Sequence, residues 1–304
     1  MKYGIIFHTE RSGSLNTDKM ITVIDTLDDI EKRLKVADGN TLVVFDCDEV
    51  LTTLSEQVWQ ARNHDFFVKW CADNIANFSE EALYEIATSI LVSSKNLLVN
   101  QRMPELVESL RKRNIKSVVL TALSTQPVSS IMDPMAWRIS TLESFGYNFK
   151  MFWPSLADKH FKEFGEEYPP AYGSGVICCG SIPKSRCLMA FLAYANITPD
   201  KIIFIDDKIE NLEDVRERCG LAKIEFLGIR YTEAHKLVSI APFCANKIRY
   251  QLTTLKEKSI WIPDSDLEES LASNSKFEYQ LATPEEEIST LNTNEQPVSV
   301  SKLK

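Results

Sequence analysis

What this sequence lacks excludes several kinds of protein. It has no Lys/Arg-rich run, and 43 acidic residues outnumber 34 basic ones for a net charge of -9, so nucleic acid is not an expected partner. No stretch approaches the ~18–20 continuous apolar residues of a membrane span. The opening MKYGIIFHTERSG has a three-residue apolar run followed by charge, which is not the pattern of a secretory signal peptide, and no export leader is expected. The seven cysteines (Cys47, Cys71, Cys178, Cys179, Cys187, Cys219 and Cys244) are odd in number, and none forms a C-x-x-C pair. Several sit in apolar runs, which points to buried thiols in a reduced, cytosolic-type compartment rather than to a disulfide frame. There is no internal repeat.

What is present is ordinary in bulk and specific in detail. The 304 residues are 44% hydrophobic and 25% charged, values of a globular protein with one large or two modest domains. The most informative stretch is Asn40 to Thr52, NTLVVFDCDEVLT. Four apolar residues, Leu42 to Phe45, run into Asp46, and Asp48 follows two positions later. A short continuous apolar run before a polar break reads as a strand buried on both faces, hence as part of a parallel sheet. Ligands of open parallel sheets bind at the carboxyl ends of the strands, where these aspartates fall. Cys47 between them should point away along the pleat and reads as a packing residue, not a nucleophile.

The rest of the chain alternates strands and helices. Lys2 to His8 reads as a short edge strand, and Thr9 to Lys19 as a polar loop. Ile21 to Lys35 reads as a strand or turn and then a helix capped by Thr26. After Thr52 two helices are expected, Ser55 to Asp73 and Ser79 to Ser93, as a small cap inserted at about 53–103. Pro104 opens a helix ending near Asn114, and Ile115 to Thr121 is a second core strand. Ile131 to Phe145 contains a helix stopped by Gly146. Residues 150–175, rich in aromatics, Pro and Gly, read as a long loop or hairpin. Val176 to Cys179 is a third strand, followed by a turn and a helix from about Lys184. Lys201 to Ile205 is the strongest strand and ends in Asp206-Asp207. Its following helix is expected to stop at Gly220, and Ala222 to Arg230 adds another strand. This alternation predicts an α/β fold with a doubly wound parallel sheet. From about Leu255 the pattern fades. Nine acids stand against three bases from Asp264 to Lys304, so residues 251–304 read as a C-terminal extension, largely a flexible acidic tail, after a core of residues 1–250.

Four strand or helix ends then present Asp46 and Asp48, Thr121, Lys184, and Asp206 with Asp207. Separately each has a plain structural explanation: a helix cap, or a solvated lysine. Together they describe a chemistry. Carboxylates gathered at one sheet edge repel unless a cation sits among them, and oxygen-only donors suit Mg²⁺. A metal beside a free carboxylate suits attack on a phosphate, Lys184 adds positive charge, and Thr121 with the N–H groups after it can donate to phosphoryl oxygens.

VVFDCDEVLT, VVLTALS, Lys184 and IIFIDDKIENL resemble the four motifs of the haloacid dehalogenase (HAD) superfamily of phosphohydrolases, over roughly residues 40–235. The resemblance implies a HAD-like Rossmannoid core with a small helical cap. It implies Asp46 as the nucleophile that forms an aspartyl-phosphate, and Asp48 as general acid and then base. Thr121 would bind the phosphoryl group, and Lys184 would steady Asp46 and the transferred phosphate. Mg²⁺ would be held by Asp46, Asp206 and the backbone carbonyl of Asp48, with Asp207 as a second or alternative ligand. IIFIDDKIENL followed by GIRYTE is further similar to an uncharacterised branch of bacterial HAD proteins. Some of its members are effectors injected into host cells, and phosphotyrosine phosphatase activity is known within it. Glu285-Glu286-Glu287, a polar stretch and Leu303 resemble a C-terminal type IV secretion signal; an ordinary acidic tail has the same composition, and both readings stand. The expected place is the cytoplasm, with translocation into a host cell on the first of those readings.

The expected function is therefore a Mg²⁺-dependent phosphomonoester phosphatase whose substrate is a phosphorylated small molecule or a phosphoprotein, phosphotyrosine included. The alternatives are a binding or regulatory module that docks a partner through the same fold, and a phosphotransferase with an acceptor other than water. Trp59, Phe66, Phe67, Trp153 and Tyr168 are candidate walls of an aromatic-lined pocket, with a core role the plainer reading for most of them.

Overall fold

The computed structural model describes residues 20–59, 63–75, 79–128, 131–237 and 244–267. The chain forms two compact units, Met1–Pro242 and Phe243–Lys304. The expected edge strand at Lys2 to His8, the loop at Thr9 to Lys19 and the Glu285–Glu287 block lie outside the described residues.

The first unit begins with β1 (Ile21–Ile24) and α1 (Leu27–Arg33). Thr26 caps α1 as expected, its hydroxyl accepting from Asp29 N, and it places Leu27 and Ile30 in the core. β2 (Thr41–Phe45) is buried at every position, as the apolar run requires. A short ribbon follows, with β3 (Thr52–Leu54) antiparallel to β4 (Asn96–Leu98). Between its arms stand α2 (His64–Asn74) and α3 (Glu80–Ser93). The insertion thus has two helices on a two-stranded stem. The first helix is shorter than Ser55 to Asp73, because residues Gln57–Trp59 form a separate 3₁₀ turn.

The alternation then continues. α4 (Met103–Lys112) leads to β5 (Lys116–Thr121), and α5 (Pro134–Ser144) is capped by Asp133, whose carboxylate accepts from Ala136 N. Within 150–175 lie β6 (Lys159–His160) and β7 (Ala171–Gly173), and β8 (Val176–Cys178) turns back antiparallel to β7. Next come α6 (Lys184–Ala195), β9 (Lys201–Asp206), α7 (Ile209–Ala222) and β10 (Glu225–Tyr231). Gly220 lies inside α7 rather than ending it. The helix runs on to Ala222 because Lys223 adopts the left-handed conformation (φ 60°) and caps it.

Among the described residues the main sheet has eight strands in the order β1-β10-β9-β2-β5-β8-β7-β6. β1 through β8 in that order pair parallel, and β8-β7 and β7-β6 antiparallel. The architecture is α/β with a mostly parallel, Rossmann-like sheet. From β2 the chain winds outward through β5 and β8, then returns to the other side of β2 through β9 and β10. The order reverses beside β2, and at such a switch point the loops leave in opposite directions and open a crevice at the strands' carboxyl ends.

The second unit contains α8 (Ala245–Lys258), with Ile248, Gln251 and Leu252 buried. Gln251 Nε2 donates to Ile262 O and Asp264 Oδ1, both at 2.8 Å, folding the segment after the helix back along it. Among the described residues this segment is folded as far as Leu267, which is buried.

Candidate active site

The switch point brings the motif residues together. Asp46 follows the last residue of β2, and its N–H continues the ladder by donating to Ile205 O at 2.8 Å. One strand over, Asp206 ends β9; on the other side, Thr121 ends β5. A tight turn after Asp46 gathers the N–H groups of Leu51 and Thr52 onto Cys47 O, with Glu49 in the left-handed region (φ 64°). The turn leaves Asp48 at the mouth with its side chain 30% exposed, while Asp46 and Asp206 are buried.

Lys184 opens α6 beneath this edge. Its Nζ donates to Asp46 Oδ1 at 2.8 Å and to Asp206 Oδ2 at 2.7 Å. Ser185 holds the start of α6 in place: its N and Oγ both donate to the carboxylate of Asp214 on α7, at 3.0 and 2.8 Å. Asp206 has both oxygens engaged, since Lys208 N and Asn211 Nδ2 also donate to it. Asp46 is different. Its Oδ1 takes Lys184 and Cys47 N, at 2.8 and 2.7 Å, and its Oδ2 accepts no hydrogen bond among the described residues. The Asp207 carboxylate likewise accepts none there.

One oxygen from each of Asp46, Asp206 and Asp207 lies within 4.8 Å of the others. Burial pushes the Asp46 carboxyl up to about 7; Lys184 pulls it back and Asp206 adds to the rise. Asp207 is also held well above the usual carboxylate range, first by burial, with Lys208 opposing and Asp206 and Asp46 adding. For Lys184 burial acts downward, but Asp206 and Asp46 outweigh it and the net shift is upward. Burial is thus the first cause of the rise at both carboxyls, and the neighbouring Asp206 adds to each. Together these three carboxylates could hold a metal ion, with Asp206 also paired to Lys184.

Thr121 is buried, and its Oγ1 accepts from Leu123 N at 3.2 Å, which leaves its own proton free to donate among the described residues. Cys47 is fully buried with its thiol pushed up to about 12 by burial, consistent with packing and not with nucleophilic chemistry. Of the aromatic candidates, Phe67 and Trp153 are core residues, and Trp153 Nε1 donates to Ser117 O at 2.7 Å. Trp59 and Phe66 are half-buried and Tyr168 is exposed.

The sequence reading missed Arg138, Asn211 and Asp214. Arg138 Nη2 donates to both oxygens of Asp48 at 2.9 Å from a fully buried position on α5. Its one sequence signal is a charge placed in the buried stripe Met135, Arg138, Leu142. Asn211 stands one helical turn past Asp207, where a side chain returns to the strand end.

Two relatives are similar at low identity. "Uncharacterized protein RP296" of Rickettsia prowazekii (strain Madrid E) is 22% identical over 206 residues, 66% of this chain and 73% of the relative. A "Putative outer membrane protein" of Chlamydia pneumoniae is 24% identical over 228 residues, 71% of this chain and 80% of the relative. No solved structure matches. Residues 23–268 match the family model described as "Protein of unknown function (DUF2608)", and the chain belongs to that family.

Proposed function

We propose that this protein is a HAD-type phosphomonoester phosphatase that works with Mg²⁺ and through an aspartyl-phosphate on Asp46. The observation that carries this reading is the state of the Asp46 carboxylate. One oxygen is fixed by Lys184 and Cys47 N, while the other is unengaged at a sheet switch point beside two further carboxylates. A carboxylate held by one oxygen and presented by the other is arranged for in-line attack.

Mg²⁺ bound by Asp46, Asp206 and Asp207 would supply the charge that lets two anions approach each other. The chain's own residues do the rest. Asp46 attacks phosphorus, the bond to the leaving oxygen breaks, and Asp48 gives that oxygen a proton. Asp48 then takes a proton from water, whose oxygen attacks phosphorus and releases Asp46. Thr121 Oγ1 and the N–H groups of the loop after it donate to the phosphoryl oxygens, and Lys184 keeps Asp46 from rotating. The two-helix insertion begins at β3, a few residues from Asp48, and its small size suits an open site that admits a phosphoprotein as well as a small ester.

The test is phosphate release from a panel of aryl phosphates, sugar phosphates and phosphotyrosine peptides, with Mg²⁺ and with EDTA. Release that needs Mg²⁺ and falls by about 10³-fold or more in Asp46→Asn is the expected result, since removing one group of a concerted catalytic set costs roughly that much. Release unchanged in Asp46→Asn would overturn the reading. A folded protein that releases nothing from any ester would favour a binding module.

A further inference from the structure

Among the described residues Arg138 stands out as a buried cation with unpartnered nitrogens. It is fully buried in the apolar stripe of α5, with Met135 on one side and Leu142 on the other. Its Nε and Nη1 have no hydrogen-bond partner among the described residues. The guanidinium sits over the Trp137 ring at 4.9 Å, and its one hydrogen-bonding partner among the described residues is Asp48, 90 positions away. A buried cation with two idle nitrogens costs stability that an apolar side chain in the same place would not. The fold keeps it, and its single engaged nitrogen bridges both oxygens of Asp48 at 2.9 Å each.

That geometry has a specific consequence. A carboxylate on a loop can rotate about two torsions, and Asp48 sits on the loop between β2 and β3 with 30% of its side chain exposed. A nitrogen at the same distance from both oxygens holds the position of the carboxyl group through two contacts at once. The anchor is rigid because α5 is capped at Asp133 and buried along one face. Arg138 is itself 0% exposed, so it reaches Asp48 from the protein side and touches no substrate.

We propose that Arg138 is a positioning residue, set outside the four motifs, that holds Asp48 where it can hand a proton to the leaving group and take one from water. The proposal rests on the phosphatase reading and adds to it a residue no motif contains. It assigns the proton-transfer step, not the attack by Asp46, to the Arg138–Asp48 pair.

The experiment uses the full chain and a series of aryl and alkyl phosphates graded by leaving-group acidity, with wild type, Arg138→Met and Arg138→Lys. Poor leaving groups need the proton and good ones do not. For Arg138→Met, kcat/KM should therefore fall by about 10²-fold for alkyl esters and by under about 10-fold for nitrophenyl esters, within the range a positioned general acid contributes. The plot against leaving-group acidity should steepen, and Arg138→Lys should restore part of the wild-type slope by keeping one bridging nitrogen. A slope does not depend on how much of a variant is folded, so partial misfolding of Arg138→Met shifts every ester equally and leaves the test intact. An equal loss across the series, or none, in both variants would overturn the proposal while the phosphatase reading stands. Wild type that releases phosphate from no ester would overturn both.

Discussion

Asp46, Lys184 and Asp206 form a three-member chain in which one buried ammonium joins two carboxylates, at 2.8 and 2.7 Å. Such an arrangement is worth little as net stability, because desolvating three charges offsets their attraction; its value lies in fixing one oxygen and freeing another. At the same scale the thiols give a check on burial. Six of the seven cysteines are buried and Cys244 is partly exposed. Burial lifts the thiols of Cys47, Cys71, Cys178 and Cys219 to about 12, so they carry almost no thiolate at neutral pH. A thiol-specific chromogenic reagent should therefore titrate one cysteine quickly in the native protein and all seven after unfolding in guanidinium. Fast reaction of several native thiols would contradict the packing around Cys47 and Cys178. Residues that end a strand or open a helix were legible in the sequence, because local pattern fixes where an element stops: Asp46, Thr121, Lys184 and Asp206 all meet at one edge. Arg138 and Asp214 were not legible. Their partners stand 90 and 29 positions away, and no local period encodes such a pairing.

Among the elements, the hairpin of β7 and β8 shows how the sheet edge is made. Its two-residue turn, Ser174-Gly175, has φ of 47° and 82°, the pair of positive values that matches strand twist. A Cβ on Gly175 would meet the backbone of Phe149 at 2.6 Å, so neither the torsion nor the space admits one. Gly175→Ala should lower unfolding stability by about 2 kcal/mol or more in urea, the strain of a left-handed Ala plus a backbone clash. Gly39→Ala, where a Cβ meets nothing within 4 Å, should stay within about 0.5 kcal/mol. Equal effects at the two positions would contradict the turn geometry. The sequence read residues 150–175 as a loop or hairpin and left β6 and β7 undivided, since strands of two and three residues are too short to show a period. The end of α7 was misplaced for a related reason. Glycine is the common helix stop, but Lys223 supplied the left-handed cap two residues beyond Ala222's predecessor Leu221, and Gly220 stayed helical.

For the whole molecule, the sheet order is what gathers the candidate site residues at one edge. The chain reverses direction beside β2, which puts Asp46 and Asp206 on adjacent strands and Thr121 on the next, with the two-helix insertion leaving from the same edge. The strand ends followed from apolar runs and their punctuation; the strand order did not, because pairing between distant strands leaves no local period. Among the described residues no helix is long and apolar enough to cross a membrane. The family match over residues 23–268 takes in the whole main sheet from Val23 onward and the α8 segment as well, so the site proposed here lies wholly within the shared part of the chain. The central claim is that Asp46 is phosphorylated during turnover. Its most direct test is mass spectrometry of the Asp46-containing peptide after rapid acid quench of the Mg²⁺-loaded protein turning over an aryl phosphate. A phosphoryl increment on that peptide in wild type and its absence in Asp46→Asn is the expected result. Steady phosphate release with no increment on Asp46 at any quench time, or an increment that persists in Asp46→Asn, would contradict the account.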